Sequence, residues 1–427
     1  MGNNYALKGN ICYSHSKDNI CIHENSYVIC ENGICGGIYS VLPDKYEGIE
    51  CIDYGDKLII PGLVDLHVHA PQYAFRGLGM DLELLDWLEK NAFVEEQKYS
   101  DLDYARKAYR IFAEDLARSA TTRACVFGTI HTEATLLLME MLEKTGIKAY
   151  VGRVNMDRNC PDGLCETDAK KAAEDTERWI QRCREFKNIK PILTPRFIPA
   201  CTDELMERLA MLQSKYGLAV QSHLSENKEE VLWVRELCPD AACYGDAYDR
   251  YGMFGKEYPA IMAHCVYSGR EETELMRGRQ LYAAHCPESN ANLSSGIAPV
   301  RTFLDKGVKV GLGTDIAAGS GLSMFRTMGL AVQCSKLKWR IEDETLVPLK
   351  FSEVFYMATR GGGEFFGNVG SFEKGFEFDA LVIDDGNMKT PRKLTVIERL
   401  ERLVYLAEEQ NIAAKYISGQ KIRENIK

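Results

Sequence analysis

The chain has 427 residues, of which 45% are hydrophobic, enough for more than one domain or for one large α/β barrel with an addition. Its formal net charge of −10 argues against nucleic acid or an anionic membrane surface as a partner, since neither attracts an acidic protein. No apolar run approaches the roughly 20 residues of a membrane span, and the N-terminal stretch MGNNYALKGN lacks the apolar core of a secretory signal.

The cysteines indicate a reducing compartment. There are fifteen of them, scattered along the chain, and no two have Cys-x-x-Cys spacing. An odd number without a secretory signal predicts reduced thiols, used mostly as small buried hydrophobic residues. We therefore predict a cytoplasmic protein.

The pattern of the chain changes near residue 60. Before it, short apolar stretches alternate with Gly, Asn, Asp and Ser, which is typical of short β-strands joined by turns. After it, apolar runs alternate with amphipathic segments such as DLDYARKAYRIFAEDLARSA, CTDELMERLAMLQSKYG and PVRTFLDKGV. Eight runs have the pattern of buried strands: LIIPGLVDLHVH, TTRACVFG, KAYVGRVNM, IKPILTPRF, LAVQSHLS, AIMAHCVYS, QLYAAHC and VKVGLGTD. This alternation predicts an α/β fold, a TIM-like (β/α)₈ barrel.

Beyond about residue 370 the strand-and-turn pattern returns, in FDALVIDD, VYLA and KYISGQKI. We predict that the two chain ends together form a small β-sandwich domain. Residues 1–60 would supply its N-terminal part, 61–369 the barrel, and 370–427 its C-terminal part.

Five of the eight histidines fall at or just after the ends of predicted barrel strands. They are His67, His69, His223, His264 and His285, and Asp315 ends the eighth strand. Active sites of such barrels lie at the carboxyl ends of the strands. Because residues i and i+2 of a strand point to one side, His67 and His69 can both face the barrel mouth. Several imidazoles and a carboxylate suit Zn²⁺ or Fe²⁺.

The other histidines carry weaker signals. His15 and His23 lie in the N-terminal β-region and are expected to be structural. His131 follows the second predicted strand and either lines the pocket or packs beside it. It begins HTE, the first half of the cytidine-deaminase signature, but no Pro-Cys dipeptide supplies the second half, so we exclude that fold.

In this order, PGLVDLHVHAPQ, SHLSEN, MAHC, HCPESN and GLGTD resemble the amidohydrolase superfamily, in its mononuclear metal-dependent branch. The motifs HAPQY, FGTIHTE, TPRF and QSHLSENKEE are similar to the guanine deaminases within it, and the resemblance covers essentially the whole chain. Leu66 departs from the pattern, where Thr is more frequent, and should face away from the site. No lysine stands at a strand end where carbamate-bridged relatives have one, which favours one metal ion over two.

The resemblance implies a hydrolase that converts guanine and water to xanthine and ammonia with one divalent ion, Zn²⁺ or else Fe²⁺. It assigns the metal to His67, His69, His223 and Asp315. His264 is then either a further ligand or a base beside the metal-activated water, and Asp315 also accepts a proton from that water. Glu226 carries a proton to ring N3 and later to the leaving nitrogen.

The expected substrate contacts are Gln72, Arg196, Phe197, Glu226 and His264. Gln72 can bond a purine edge as both donor and acceptor. Arg196 is a permanent donor suited to the C6 carbonyl oxygen. Phe197 either packs on the ring or belongs to the core, and Trp87 should pack in the core.

Two other functions stay open at this point. One is another deaminase of the same branch, with an adenosine-like, pterin or triazine substrate, although these lack the combination of HAPQ and TPRF. The other is a non-catalytic scaffold on the same fold, although such proteins lose metal ligands that this chain retains. The expected partner is a small-molecule substrate, and analogy with relatives predicts a homodimer.

Overall fold

The computed structural model describes residues 4–422, so residues 1–3 and 423–427 of the two predicted terminal regions lie outside the described part. The strands are β1 (Asn4–Ser16), β2 (Asn19–Glu31), β3 (Ile34–Tyr39), β4 (Glu50–Pro61), β5 (Leu63–His69), β6 (Thr121–Phe127), β7 (Lys148–Gly152), β8 (Val154–Asn155), β9 (Ile189–Pro191), β10 (Thr194–Pro195), β11 (Val220–Leu224), β12 (Ala260–His264), β13 (Tyr282–His285), β14 (Lys309–Leu312), β15 (Ala380–Ile383), β16 (Ile412–Ile417) and β17 (Gln420–Lys421).

The α-helices are α1 (Leu84–Trp87), α2 (Phe93–Gln97), α3 (Leu102–Arg118), α4 (Thr132–Thr145), α5 (Ala169–Arg182), α6 (Asp203–Tyr216), α7 (Lys228–Leu237), α8 (Tyr244–Asp249), α9 (Arg270–Arg279), α10 (Pro287–Asn292), α11 (Val300–Lys306), α12 (Met324–Ile341), α13 (Phe351–Tyr356) and α14 (Val396–Leu406). Two π-helical turns, Leu88–Ala92 and Met357–Gly361, follow α1 and α13. None of the helices within residues 4–422 has both the length and the apolar character of a membrane span.

Strands from both chain ends share one seven-stranded sheet, in the order β17-β16-β15-β4-β1-β2-β3. Strand β4 joins the two ends, because it runs parallel to β1 on one side and antiparallel to β15 on the other. One apolar cluster at this sheet draws on both ends, with Leu7 and Val28 from the first and Phe378 and Tyr416 from the second.

The middle of the chain forms two parallel four-stranded sheets, β5-β6-β7-β9 and β11-β12-β13-β14. At one junction Leu193, after β9, bridges to Val220 of β11. At the other, the backbone N–H of Asp315 after β14 donates to the carbonyl of His67 in β5, at 2.8 Å. Helices stand between successive strands, as predicted for an α/β fold of the TIM-barrel type. The carboxyl ends of the strands therefore gather at one face.

Two predicted strands differ in the structure. LIIPGLVDLHVH divides at Gly62 between β4 of the terminal sheet and β5 of the barrel. Gly62 lies so close to Thr122 that a Cβ there would be 2.2 Å from Oγ1, and no larger residue fits. VYLA was predicted as a strand and instead ends α14, whose buried residues Val396, Leu400, Leu403 and Val404 follow helical spacing.

The prediction that the thiols are reduced is wrong for one pair, because Cys160 and Cys165 form a disulfide. The other cysteines are free, and most of them are buried, as expected of small hydrophobic side chains.

Candidate active site

Four histidines and one aspartate meet at the carboxyl ends of the barrel strands. They are His67 and His69 of β5, His223 of β11, His264 of β12, and Asp315 after β14. The Nε2 atom of His69 lies 3.2 Å from Nε2 of His67 and 3.2 Å from Nε2 of His223. One Asp315 oxygen lies 3.2 Å from Nε2 of His67, and the other lies 3.7 Å from Nε2 of His264. These side chains face one common centre.

The protonation of the histidines suits a cation at that centre. Nδ1 of His223 lies 2.7 Å from the backbone oxygen of Arg196, which can only accept, so this nitrogen carries the proton. Burial lowers the pKa of His223 well below its usual value, so the ring is neutral and Nε2 presents a lone pair to the centre. Burial likewise lowers the pKa values of His67 and His69. Neutral imidazoles and a carboxylate that converge this closely fit one divalent ion.

Asp315 is held ionised and aimed at the same centre. Burial would raise its pKa, but the nearby rings of His67 and His264 keep that pKa well below the usual range. The backbone of Asp315 (φ 48°) and of His264 (φ 73°) is left-handed. Such a conformation costs roughly 1–3 kcal/mol for a residue with a side chain and persists only where the surroundings fix it. The ends of β12 and β14 thus turn sharply to present these two side chains.

Glu226 stands beside this centre, three residues after His223. Its Oε2 lies 3.3 Å from Nε2 of His264. Burial, the charge of Asp315 and the charge of Glu230 raise its pKa well above the usual value, which favours the protonated form of the carboxyl group. Glu230 also accepts the backbone N–H of Glu226 at 2.8 Å and the hydroxyl of Tyr244 at 2.7 Å, which fixes the loop that carries Glu226.

The predicted recognition residues line the same cavity. Arg196, after β10, donates from its two terminal nitrogens to both oxygens of Glu96, at 2.6 and 3.1 Å. Gln72, after β5, donates from Nε2 to Glu96 at 3.0 Å, and its Oε1 accepts the N–H of Ala317 at 3.2 Å. All three side chains are buried. Because water does not compete for their hydrogen bonds, the polar groups stay fixed.

Apolar side chains complete the walls of the cavity. Phe197 lines it and packs edge-on against Trp233, with the ring centroids 6.2 Å apart. Trp87 of α1 is buried, as predicted, and also lines the cavity beside Leu84 and Leu88. An apolar cavity with a few polar groups on its walls suits a small heterocycle.

The structure brings most of the predicted site residues into one cavity. The lining includes His69, Gln72, Arg196, Phe197, His223, Glu226, His264 and Asp315, and His67 stands directly behind His69. His285 does not belong to it. That ring ends β13 but faces a separate apolar cavity beside Ile297 and Val300, and burial lowers its pKa to about 3. Strand position alone cannot distinguish the two faces of a strand end.

Two further residues that the sequence singled out, His131 and Leu66, lie outside the site. His131 precedes α4 and is absent from the lining of the cavity. Leu66 packs in an apolar cluster with Val64 and Ala284 and faces away from the site.

Sequence reasoning missed two residues of this region. Glu96 lies on the short acidic helix α2, whose sequence has no recognisable motif. Only the pairing of Glu96 with Arg196 in the structure connects it with the site. Cys286, directly after His285, has its sulfur close enough to His264 and Asp315 to group with them as a potential ligand. No local sequence pattern predicts either contact. Cys286 lies within the motif HCPESN, but the motif does not show that its sulfur approaches His264 and Asp315.

Comparison with known proteins agrees with this geometry. Residues 58–422 match the model of the amidohydrolase family. A guanine deaminase of Dictyostelium discoideum is 39% identical over 87% of this chain and 84% of its own length. A guanine deaminase of Escherichia coli (strain K12) is 34% identical over 90% and 86%. The crystal structure of a guanine deaminase from C. acetobutylicum, with guanine in its active site, superposes with a TM-score of 0.95 at 46% identity, covering 98% of this chain and 100% of that one. The chain therefore belongs to the amidohydrolase family and, within it, to the guanine deaminases.

Proposed function

We propose that this enzyme hydrolyses the C2 amine of guanine, giving xanthine and ammonia. The observation that carries this proposal is one cavity lined by two kinds of polar group. The first kind comprises imidazoles, Asp315 and Glu226, which can hold a cation and move protons. The second kind comprises the donors of Arg196 and Gln72, which suit the carbonyl oxygen and another edge of a purine. The relative that was crystallised with guanine supports the same substrate.

His67, His69, His223 and Asp315 would hold one divalent ion, with Zn²⁺ favoured by their nitrogen and carboxylate donors and Fe²⁺ as the alternative. Such an ion supplies a water molecule acidic enough to act as a nucleophile near neutral pH. His264 stands 3.7 Å from Asp315 and 3.3 Å from Glu226, so it is placed between the group that takes a proton and the group that gives one.

The proton path follows from these positions. Asp315 is ionised and accepts a proton from the attacking water. Glu226 is protonated and donates to ring N3, so that C2 becomes electrophilic. The proton that Asp315 took from the water then passes to the leaving nitrogen, and the hydroxyl proton of the adduct returns to Glu226 as the C2 carbonyl forms. Water adds at C2, the C2–N bond breaks, and ammonia leaves. His264 stabilises the charge that develops beside both carboxyl groups.

Arg196 sets the orientation of the base. Its guanidinium can only donate, so it suits the C6 oxygen of guanine and not the C6 amine of adenine. Because C2 and C6 flank N1 on one edge of the ring, an oxygen held at Arg196 directs C2 toward the histidines. Phe197 packs on the ring face, and Gln72 holds the opposite edge.

Ammonia release from a substrate panel on metal-replete protein tests the proposal. We expect guanine to be converted to xanthine, with kcat/KM at least about 10⁴-fold above that for adenine. Preference for an adenosine-like, pterin or triazine substrate would indicate the alternative deaminase. Full metal content without any turnover would indicate a scaffold.

We also propose the finer organisation that the chain pattern suggests. The two parallel sheets would close as one (β/α)₈ barrel over residues 61–369, and residues 1–60 and 370–427 would form a β-sandwich domain. The cytoplasmic location rests on the cysteine content and the homodimer on analogy. Sedimentation analysis would test the homodimer.

A further inference from the structure

We propose that Glu96 is a positioning residue that gives the enzyme its preference for a C6 oxygen, by holding Arg196 and Gln72 in one fixed arrangement. The inference rests on the proposed guanine deaminase function and on the contact of Arg196 with the substrate. Glu96 lies on α2, a helix that contributes none of the predicted catalytic or metal-binding residues.

The first observation is that one carboxylate joins both recognition side chains. Oε1 of Glu96 accepts from Gln72 at 3.0 Å and from Arg196 at 3.1 Å, and Oε2 accepts from Arg196 at 2.6 Å. A bidentate pair fixes the plane of the guanidinium, which a single contact cannot do. The distance between the two donors that face the substrate is therefore set by Glu96.

The second observation is that each recognition side chain is also held from another side. The guanidinium carbon of Arg196 lies 5.0 Å from the ring centroid of Phe93, on the same helix α2. The amide oxygen of Gln72 accepts the N–H of Ala317. This leaves each side chain with its remaining N–H groups as the donors that can reach a substrate.

The third observation concerns charge. Arg196 and Glu96 are 3% and 1% exposed, so neither is screened by water. The backbone oxygen of the same arginine accepts from Nδ1 of the metal-binding His223 at 2.7 Å, so Arg196 directly adjoins that ligand. A carboxylate paired with Arg196 lets a permanent cation stand beside the metal-binding histidines, while the guanidinium still donates to a neutral carbonyl oxygen.

The test compares guanine with 2-aminopurine, which keeps the C2 amine and lacks the C6 oxygen. We expect Glu96→Gln to lower kcat/KM for guanine by about 10²-fold and for 2-aminopurine by only a few-fold, because a contact with the missing oxygen cannot be lost. The ratio between the substrates should thus fall by at least about 10-fold. If 2-aminopurine turns over too slowly, its inhibition constant against guanine replaces its kcat/KM.

Glu95→Gln is the matched control. Glu95 is buried on the same helix but contacts Tyr104 and Lys98 instead of the recognition residues. It should leave the substrate ratio unchanged. If Glu96 had a merely structural role, Glu96→Gln would lower kcat/KM for guanine and for 2-aminopurine by the same factor, and this result would overturn the proposal.

A double variant keeps the test decisive if Glu96→Gln alone does not fold. Arg196→Met with Glu96→Gln removes both members of the buried pair, so no charge is left unpaired. We expect its substrate ratio to equal that of Arg196→Met, because Glu96 acts through Arg196. A further fall in the double variant would overturn the inference. Failure of the proposed function is distinguishable, since wild-type enzyme would then release no ammonia from guanine.

Discussion

Two clusters of this molecule bury ionisable side chains away from water, and they compensate the cost of that burial in different ways. Where the terminal sheet meets the barrel, Arg123 of β6 donates to Asp379 at 2.6 and 3.0 Å and to Glu377 at 2.8 Å. Asp379 also accepts the N–H of Ser418. Each of these three charged side chains has an opposite charge within the chain.

At the carboxyl ends of the barrel strands the arrangement is different. Imidazoles and the carboxylate of Asp315 face one another, and within residues 4–422 no lysine or arginine forms an ion pair with Asp315. The strand ends hold the imidazole nitrogens and the carboxylate oxygens within 3.2 to 3.7 Å of one another, an arrangement that a bound cation stabilises. The junction cluster of Arg123, Asp379 and Glu377 stabilises the fold, whereas the strand-end cluster of histidines and Asp315 is arranged to bind a metal ion. Four predictions separate these roles, from the largest expected effect to the smallest.

Removal of a ligand from the strand-end cluster should abolish catalysis. We expect wild-type protein to hold about one divalent ion per chain. His69→Ala should lose that ion and lower turnover by more than about 10⁴-fold, because no activated water remains. Elemental analysis and ammonia release measure both effects. Two tightly held ions, or activity without any ion, would contradict the assignment.

Removal of a charge from the junction should cost stability instead. Arg123→Ala leaves Asp379 buried without its partner, so the free energy of unfolding should fall by about 3–5 kcal/mol. The kcat/KM of the fraction that remains folded should stay within a few-fold of wild type. Denaturant unfolding and active-site titration check this pair of outcomes. A large loss of kcat/KM per folded molecule would show that the junction also shapes the site.

The proton carrier should be separable from the metal ligands. Glu226→Gln preserves size and keeps a polar group beside His264, so metal content and stability should be retained. Turnover should drop by at least about 10²-fold. If the variant stays within a few-fold of wild type, the proton travels by another route.

The junction should also leave a signature in the pH dependence of stability. Lys415 of β16 donates to the backbone oxygens of Ala117 and Ser119 at 3.0 Å each. Burial lowers its pKa from 10.5 to about 7, against the attraction of Asp379. Between these pH values the unfolded chain binds more protons than the folded chain, so the contribution of Lys415 to stability rises with pH.

In Lys415→Met this rise in the free energy of unfolding with pH should be absent. Between about pH 7 and 10, the slope for wild type should exceed the slope for the variant by an amount that corresponds to up to one bound proton per molecule. Denaturant unfolding across that range measures it, with the exposed Lys90→Met as the control. Parallel curves for wild type and Lys415→Met would show that Lys415 titrates normally.

The sequence by itself determined the parts of this protein that depend on local order. Strand periodicity and the His-x-His spacing place His67 and His69 on one face of β5, and apolar patterning predicts α3, α6 and α11. The motif resemblance, confirmed by the family comparison, identified the reaction before any distance was known. These features survive because each is encoded within a few neighbouring residues.

Tertiary structure decided what depends on residues far apart in the chain. Glu96 pairs with Arg196 across a separation of 100 positions, and no pattern in α2 announces it. His285 has the same strand-end position as His264 but lines another cavity, and of these two histidines only His264 has a left-handed backbone. Gly62 divides one apolar run between two sheets because Thr122 approaches it. The sequence pattern specifies on which face of a helix or strand a side chain lies, whereas only tertiary packing determines which distant residues contact it there.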